Sequence, residues 1–193
     1  SIQNALLTII NEKVYRNGEQ ESKVNLKGLI TASNELPPEG ENFGPLYDRL
    51  LIRYNLDQIR SNKGFLSMIT STDAVYDDPV SEKNKIGVAE LEEWQSQIND
   101  VKVEDEVLSV IQIIREKIET YNSKQENLAL QIKVFDRRWK KVIRLLRTSA
   151  FLNERKKVDL MDCFLMSHVL WNQPSQIAVV QEIIGETIRK HGY

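Results

Sequence analysis

Asn34 is the first residue of this chain whose type and position could do chemistry. Gly28-Leu29-Ile30-Thr31-Ala32-Ser33 is a short, nearly continuous apolar run, the pattern of a parallel strand buried on both faces, and Asn34 ends it. Open α/β sheets bind ligands at the carboxyl ends of such strands. A side-chain amide both donates and accepts, so Asn34 there could orient a water or a phosphate oxygen. The alternative is an asparagine that caps the turn into Glu35-Leu36-Pro37-Pro38-Glu39-Gly40. Spacing leaves both open and favours the cap.

Other reactive side chains are scattered. Arg137, Lys140, Lys141, Arg144 and Arg147 share one helical face, which could meet a phosphate backbone or simply be solvated. His168 and His191 are too isolated for a metal pair. Cys163 lies five residues before His168, on a different helical face, so packing explains the two better than a nucleophilic dyad. Asp77, Asp78 and Glu82 lack the full ligand spacing of a calcium loop and read as a solvated linker. Trp94, Trp139 and Trp171 fall at helical core spacing rather than on a stacking platform.

The elements that must position these residues change character along the chain. Ser1 to Asn11 reads as a helix, with Ile2, Leu6, Ile9 and Ile10 on one face and no capping turn before it, so sequence is expected upstream. Val14-Tyr15-Arg16, Asn17-Gly18 and Lys23-Val24-Asn25-Leu26 predict a hairpin. A short amphipathic piece from Pro45 to Leu51 leads to Ile52–Asp57, whose strict alternation predicts a second strand. Ile59 to Thr72 predicts a helix interrupted at Gly64. Residues 73–86 are polar, carry a proline and read as a linker.

Beyond the linker everything is helical. A short helix surrounds Trp94. Stripes follow at Val107-Val110-Ile111-Ile114-Ile118 and at Trp139-Val142-Ile143-Leu146-Ala150. Leu160-Phe164-Val169, opened by Asp159, makes a third, and Ile177-Val180-Ile184-Ile188, after Pro174, a fourth. The expected class is α/β plus α: a partial parallel-sheet core over residues 1–72, the linker, and a helical bundle over 87–193.

Composition sets the limits. The 193 residues carry 26 Lys and Arg against 28 Asp and Glu, a net charge of -2, so no whole-chain field draws it to nucleic acid. One cysteine excludes an internal disulfide and a cysteine-built zinc site, and no apolar run spans a bilayer. With no secretory signal pattern, the expected location is the cytoplasm.

Three segments carry a family resemblance. Leu-Ile-Thr-Ala-Ser-Asn-Glu-Leu-Pro and Leu-Tyr-Asp-Arg-Leu-Leu-Ile-Arg-Tyr, between Leu29 and Tyr54, resemble the AAA+ ATPases of the MoxR group, most closely their ring-forming, chaperone-like RavA branch. The opening helix resembles the one that follows the acidic Walker B strand, and Phe135-Asp136-Arg137-Arg138-Trp139-Lys140-Lys141 resembles the start of the sensor 2 helix. The resemblance implies that Asn34 is the sensor 1 asparagine and that Arg49, after Asp48, is the arginine offered to a neighbouring subunit's nucleotide. Arg53 is a second candidate for that intersubunit position, and Arg137 is the sensor 2 arginine that touches nucleotide in its own subunit.

It further implies ATP and Mg²⁺ in the intact parent, a homo-oligomer with a hexameric ring as the expected form, and protein substrates or adaptors. Arginine suits such roles, because phosphoryl transfer is catalysed mainly by positioning and by cations on the phosphate oxygens. The 193 residues contain no Gly-x-x-x-x-Gly-Lys-[Ser/Thr] and no apolar strand ending in Asp-Glu, so this chain alone is expected to bind no cofactor tightly and to hydrolyse no ATP. The contrasting reading is a non-catalytic helical scaffold that binds proteins through the bundle.

Overall fold

A computed structural model of the chain describes residues 2–17, 20–35, 44–72 and 78–191. Ser1, Gly18 of the predicted Asn-Gly turn, Pro37 and Pro38, and Asp77 lie outside them. α1 (Ile2–Glu12) runs into an antiparallel hairpin of β1 (Val14–Asn17) and β2 (Gln20–Lys23), with Val14 opposite Lys23 and Asn17 opposite Gln20. The second strand thus begins three residues before the predicted Lys23. Lys13 makes the reversal between helix and hairpin at φ 56°, with its N–H on the Ile9 carbonyl.

The two strands predicted for a parallel sheet do not form. Residues 24–33 and 50–60 carry no regular secondary structure and join no ladder, and the hairpin is the only sheet among the described residues. Several of their apolar side chains are bare, with Ile30 98% and Leu56 83% exposed, although Leu51 packs against the core. The alternation at Ile52–Asp57 reports that one face wants a partner; it does not supply one.

α2 (Gly44–Tyr47) is a single turn, and α3 (Asn62–Thr70) is shorter than the predicted 59–72. Gly64 opens α3 rather than breaking it. Its N–H donates to the capping Ser61 hydroxyl at 3.0 Å, and a Cβ there would stand 2.8 Å from that oxygen, so a larger residue would have to shift the Ser61 side chain. In the linker, Lys85 spans Asp78 and Glu82 at 2.9 and 2.6 Å, a cation of the chain's own on the predicted acidic cluster.

The bundle holds the core. α4 (Val88–Asp100) packs on α6 (Asp136–Leu152), with Trp94 edge-on to Phe151 at 5.7 Å. α5 (Asp105–Ser123) and α7 (Ile177–His191) pack together and against a 3-10 segment, Leu160–His168. The predicted stripes are inside: Val110, Ile114, Val142, Leu146, Val180 and Ile184 are buried. Phe164, placed on the third stripe at α-helical spacing, is instead 40% exposed, because a 3-10 turn of three residues brings Cys163 and Met166 inward. Asp162, also buried, is forked by Arg155 at 2.7 and 2.7 Å and accepts from the Ser149 hydroxyl.

One hydrogen-bond pair fixes the entry to α6. Asn122 at the end of α5 donates to the Ile132 carbonyl at 2.9 Å and accepts from its N–H at 2.8 Å, satisfying both main-chain groups of a buried residue. Asn122→Ala should orphan both and lower stability by about 1–3 kcal/mol, read from a urea midpoint that falls at constant m.

Candidate functional site

Two of the predicted site residues, Arg53 and Arg137, meet where the segment from Gly44 to Tyr54 lies against the bundle, while Asn34 and Arg49 lie apart from that contact. Asp48 is the centre of that contact. Although acidic, it is 6% exposed, and its two oxygens go to two consecutive arginines at the start of α6. Arg138 donates from Nη2 to Oδ1 at 2.6 Å, and Arg137 donates from Nε to Oδ2. The two arginines differ sharply. The Arg138 side chain is 1% exposed, whereas that of Arg137 is 47% exposed. Arg138 also reaches the Val169 carbonyl at 3.4 Å, while its Nε is buried with no acceptor.

Burial of Arg138 follows from its helical spacing, which its charge masks in the sequence. It precedes Val142 by four residues and Leu146 by eight, so it belongs to the inward stripe. The predicted basic face of α6 lies beside it and is partly consumed by packing: Lys141 donates to the Arg49 carbonyl at 3.4 Å and Arg144 to Asn99 at 2.8 Å.

Arg53 is buried on the same contact. Its guanidinium lies 4.1 Å above the Tyr47 ring, with Nη1 on the Trp171 carbonyl and Nη2 on the Tyr47 carbonyl at 3.1 Å. Burial first, and then the positive charge of Arg138, push its pKa down to about 10. The main chain joins in. Arg53 N–H donates to the His168 carbonyl at 2.8 Å, the Tyr47 hydroxyl donates to the Asn172 carbonyl at 3.2 Å, and the Tyr54 ring stacks on His168 at 5.7 Å. In this arrangement Arg53 is a packing cation between segment and bundle.

Arg49, its neighbour, faces the other way. Its Nε donates to Asn11 of α1 at 2.6 Å and its Nη1 to the Pro45 carbonyl at 2.5 Å. The same short turn therefore ties α1 through Arg49 and the bundle through Asp48.

Two clefts flank Tyr47. One, of about 540 Å³, is lined by Asn34, Glu35, Arg53, Tyr54 and Trp171. The other, of about 610 Å³, is lined by Asp48, Lys133, Arg137, Arg138 and Asn172. Asn34 and Arg137 thus line different clefts. Asn34 itself is exposed, beside a turn in which the Ser33 hydroxyl accepts from the Glu35 N–H at 3.2 Å.

The remaining candidates are structural. Trp171 is buried, and Trp94 and Trp139 are half-buried. The Cys163 thiol is pushed up to about 12, first by burial and then by the Asp162 and Asp159 charges. It should resist a thiol-exchange reagent at pH 8 in the native chain and react stoichiometrically in guanidinium. Since the unfolded thiol ionises near pH 9 and the folded one does not, stability should fall as pH rises above about 9. Among the described residues no three His, Cys, Asp or Glu side chains gather for a metal, and no helix is long and apolar enough to cross a membrane.

Comparisons with known proteins place the chain in a family. A family model of the MoxR domain in MoxR-vWA-beta-propeller ternary systems matches residues 1–96, and one of the AAA lid domain matches residues 106–184. An uncharacterized protein of Methanocaldococcus jannaschii is 32% identical over 191 residues, covering 99% of this chain and 46% of that protein. A second from the same organism is 33% identical over 179 residues, covering 91% and 43%. The chain thus spans less than half the length of the curated relatives it matches. A solved structure of a "putative ATPase" from Cytophaga hutchinsonii shares the fold, with a TM-score of 0.61 over 98% of this chain and 61% of that one, at 16% identity. Between them the two family matches take in the turn that carries Asp48 and Arg49 and the arginine-led helix that grips it, and the chain belongs to the MoxR group of AAA+ ATPases.

Proposed function

We propose that this chain is the part of a MoxR-type ATPase, of the RavA-like branch, that couples the state of a bound nucleotide to remodelling of protein partners. The observation that carries the reading is the double grip of Arg137 and Arg138 on Asp48. It joins the lid to the turn bearing Arg49, so a displacement of either must move the other. Arg137 would sense the phosphates in its own subunit, Asn34 would orient the attacking water, and Arg49 would reach the nucleotide of a neighbour in a ring. The family description of ternary systems supports adaptor or substrate proteins as partners.

The fit to ATP and Mg²⁺ is partial. Arg137 and Lys133 offer cations to a phosphate chain from one cleft and Asn34 an amide from the other. No glycine-rich cradle occurs in the sequence, and Mg²⁺ finds no ligand set among the described residues, so no step is routed through the metal. ATP would supply the phosphoryl group whose charge these residues stabilise.

The test uses a polypeptide that carries this chain together with the residues preceding it. There, Arg137→Ala should lower ATP turnover about 100-fold with the ring intact, the cost of one donor aimed at developing charge. Undiminished turnover would overturn the sensor role and favour the helical scaffold, whose protein binding would be indifferent to nucleotide.

A further inference from the structure

The cleft beside Asp48 holds more positive charge than its contacts consume. Lys133, Arg137 and Arg138 line it against the single carboxylate of Asp48. The two arginines on that carboxylate are also unequal. Arg138 is sealed in the bundle and has a second acceptor in Val169, while Arg137 is half-exposed at the cleft mouth, beside the Phe135 ring at 5.8 Å. A buried ion pair is hard to open, because separation strands a charge away from water; a half-exposed one opens readily, since water replaces the lost partner. One carboxylate therefore has a permanent partner and an exchangeable one.

We infer that Asp48 is a carboxylate latch: Arg138 fixes it, and Arg137 leaves it when a phosphate-class anion enters the cleft between Lys133 and Asp48. The inference rests on the reading of Arg137 as the phosphate-responsive arginine and adds its resting partner. Release removes one of the two arginine bonds on Asp48, so anion arrival weakens the side-chain link next to Arg49 while the Tyr47 and Arg53 contacts remain. The buried Nε of Arg138 and of Arg53, neither with an acceptor, agree with a contact crowded by cations. So does the pKa of Arg138, lowered by burial and, to a smaller extent, by Arg137.

The experiment uses the 193-residue chain at fixed ionic strength, with tripolyphosphate as the probe. In ¹⁵N spectra of the arginine Nε–H groups, tripolyphosphate should shift Arg137 and leave Arg138 in place. Asp48→Asn, which keeps an acceptor for Arg138 while removing the competing charge, should bind tripolyphosphate at least fivefold more tightly, the lower end of ordinary site-to-site coupling. Arg137→Gln should weaken it at least tenfold. Unchanged affinity in Asp48→Asn, or equal shifts of both arginines, would overturn the latch. Should Asp48→Asn fail to fold, the wild-type spectra alone decide: an Arg137 signal that stays put at saturating tripolyphosphate overturns it too. ATP binding more tightly than tripolyphosphate would support the latch with nucleotide as the anion's source, and equal affinity would support it with the bare phosphate chain. The latch and the sensor role fail separately. If tripolyphosphate moves Arg137 but Arg137→Ala spares turnover in the longer polypeptide, the sensor role falls and the latch stands; the reverse pattern removes the latch alone.

Discussion

Replacing Asp48 by alanine should cost the chain about 3–5 kcal/mol, the usual penalty for removing one partner of a buried ion pair. The reason is Arg138, which at 1% exposure cannot turn to water and would keep only its 3.4 Å contact with the Val169 carbonyl. A domain of ordinary stability has about 5–15 kcal/mol in total, so the loss should be visible as a large fall in the urea midpoint, followed by the fluorescence of buried Trp171. Asp48→Ala combined with Arg138→Met should recover most of it, since a well-packed apolar pair often equals a buried ionic one. Failure of the double variant to recover would place the cost in the shape of the turn rather than in the stranded charge.

The second large effect concerns rate. In a polypeptide with the preceding residues, Arg49→Ala should reduce ATP turnover by about 10³-fold or more, the range seen when an arginine supplied from a neighbour is withdrawn from phosphoryl transfer. Nucleotide affinity should change little, because the transferred charge develops only in the transition state. If Arg49 acts across subunits, mixing Arg49→Ala subunits with subunits disabled elsewhere should restore part of the turnover. Two of its nitrogens are bonded to Asn11 and Pro45 in this structure, so its delivery to a neighbour requires those bonds to exchange. A turnover unaffected by Arg49→Ala would leave it as a brace between α1 and the turn.

How far the sequence anticipated this arrangement depended on what each pattern measures. The stripes of α5, α6 and α7 repeat at helical spacing over several turns, and each finds its partner within the bundle, so periodicity and burial agree. The segments at Gly28–Ser33 and Ile52–Asp57 carry the apolar pattern of strands, but a strand is completed by hydrogen bonds to another chain segment, which no local pattern records. Neither joins a ladder, and Ile30 and Leu56 stand exposed instead. Asp159 and Pro174 marked helix starts correctly, because capping is a local matter: the Asp159 carboxylate accepts from the Met161 N–H at 2.8 Å, and Pro174 leads the turn into α7. Arg138 went unread because arginine is taken as a surface residue, although its register with Val142 placed it inside. Arg53 gave no such signal. Its burial follows from carbonyls 115 and more residues away.

Those carbonyls have an evolutionary consequence. His168, Val169, Trp171 and Asn172 all meet the 47–53 segment and Arg138 through main-chain oxygens, which every residue possesses. Those hydrogen bonds do not depend on the identity of residues 168–172, so paired substitutions between these positions and Tyr47 or Arg53 should be rare among relatives, and covariation would under-report this part of the joint. Its backbone course is constrained, together with Asp48, Arg53, Arg138 and the buried side chains of Val169 and Trp171. A lid borrowed from a distant relative should therefore seat on this segment with few other shared side chains, provided that turn and its share of these residues come with it.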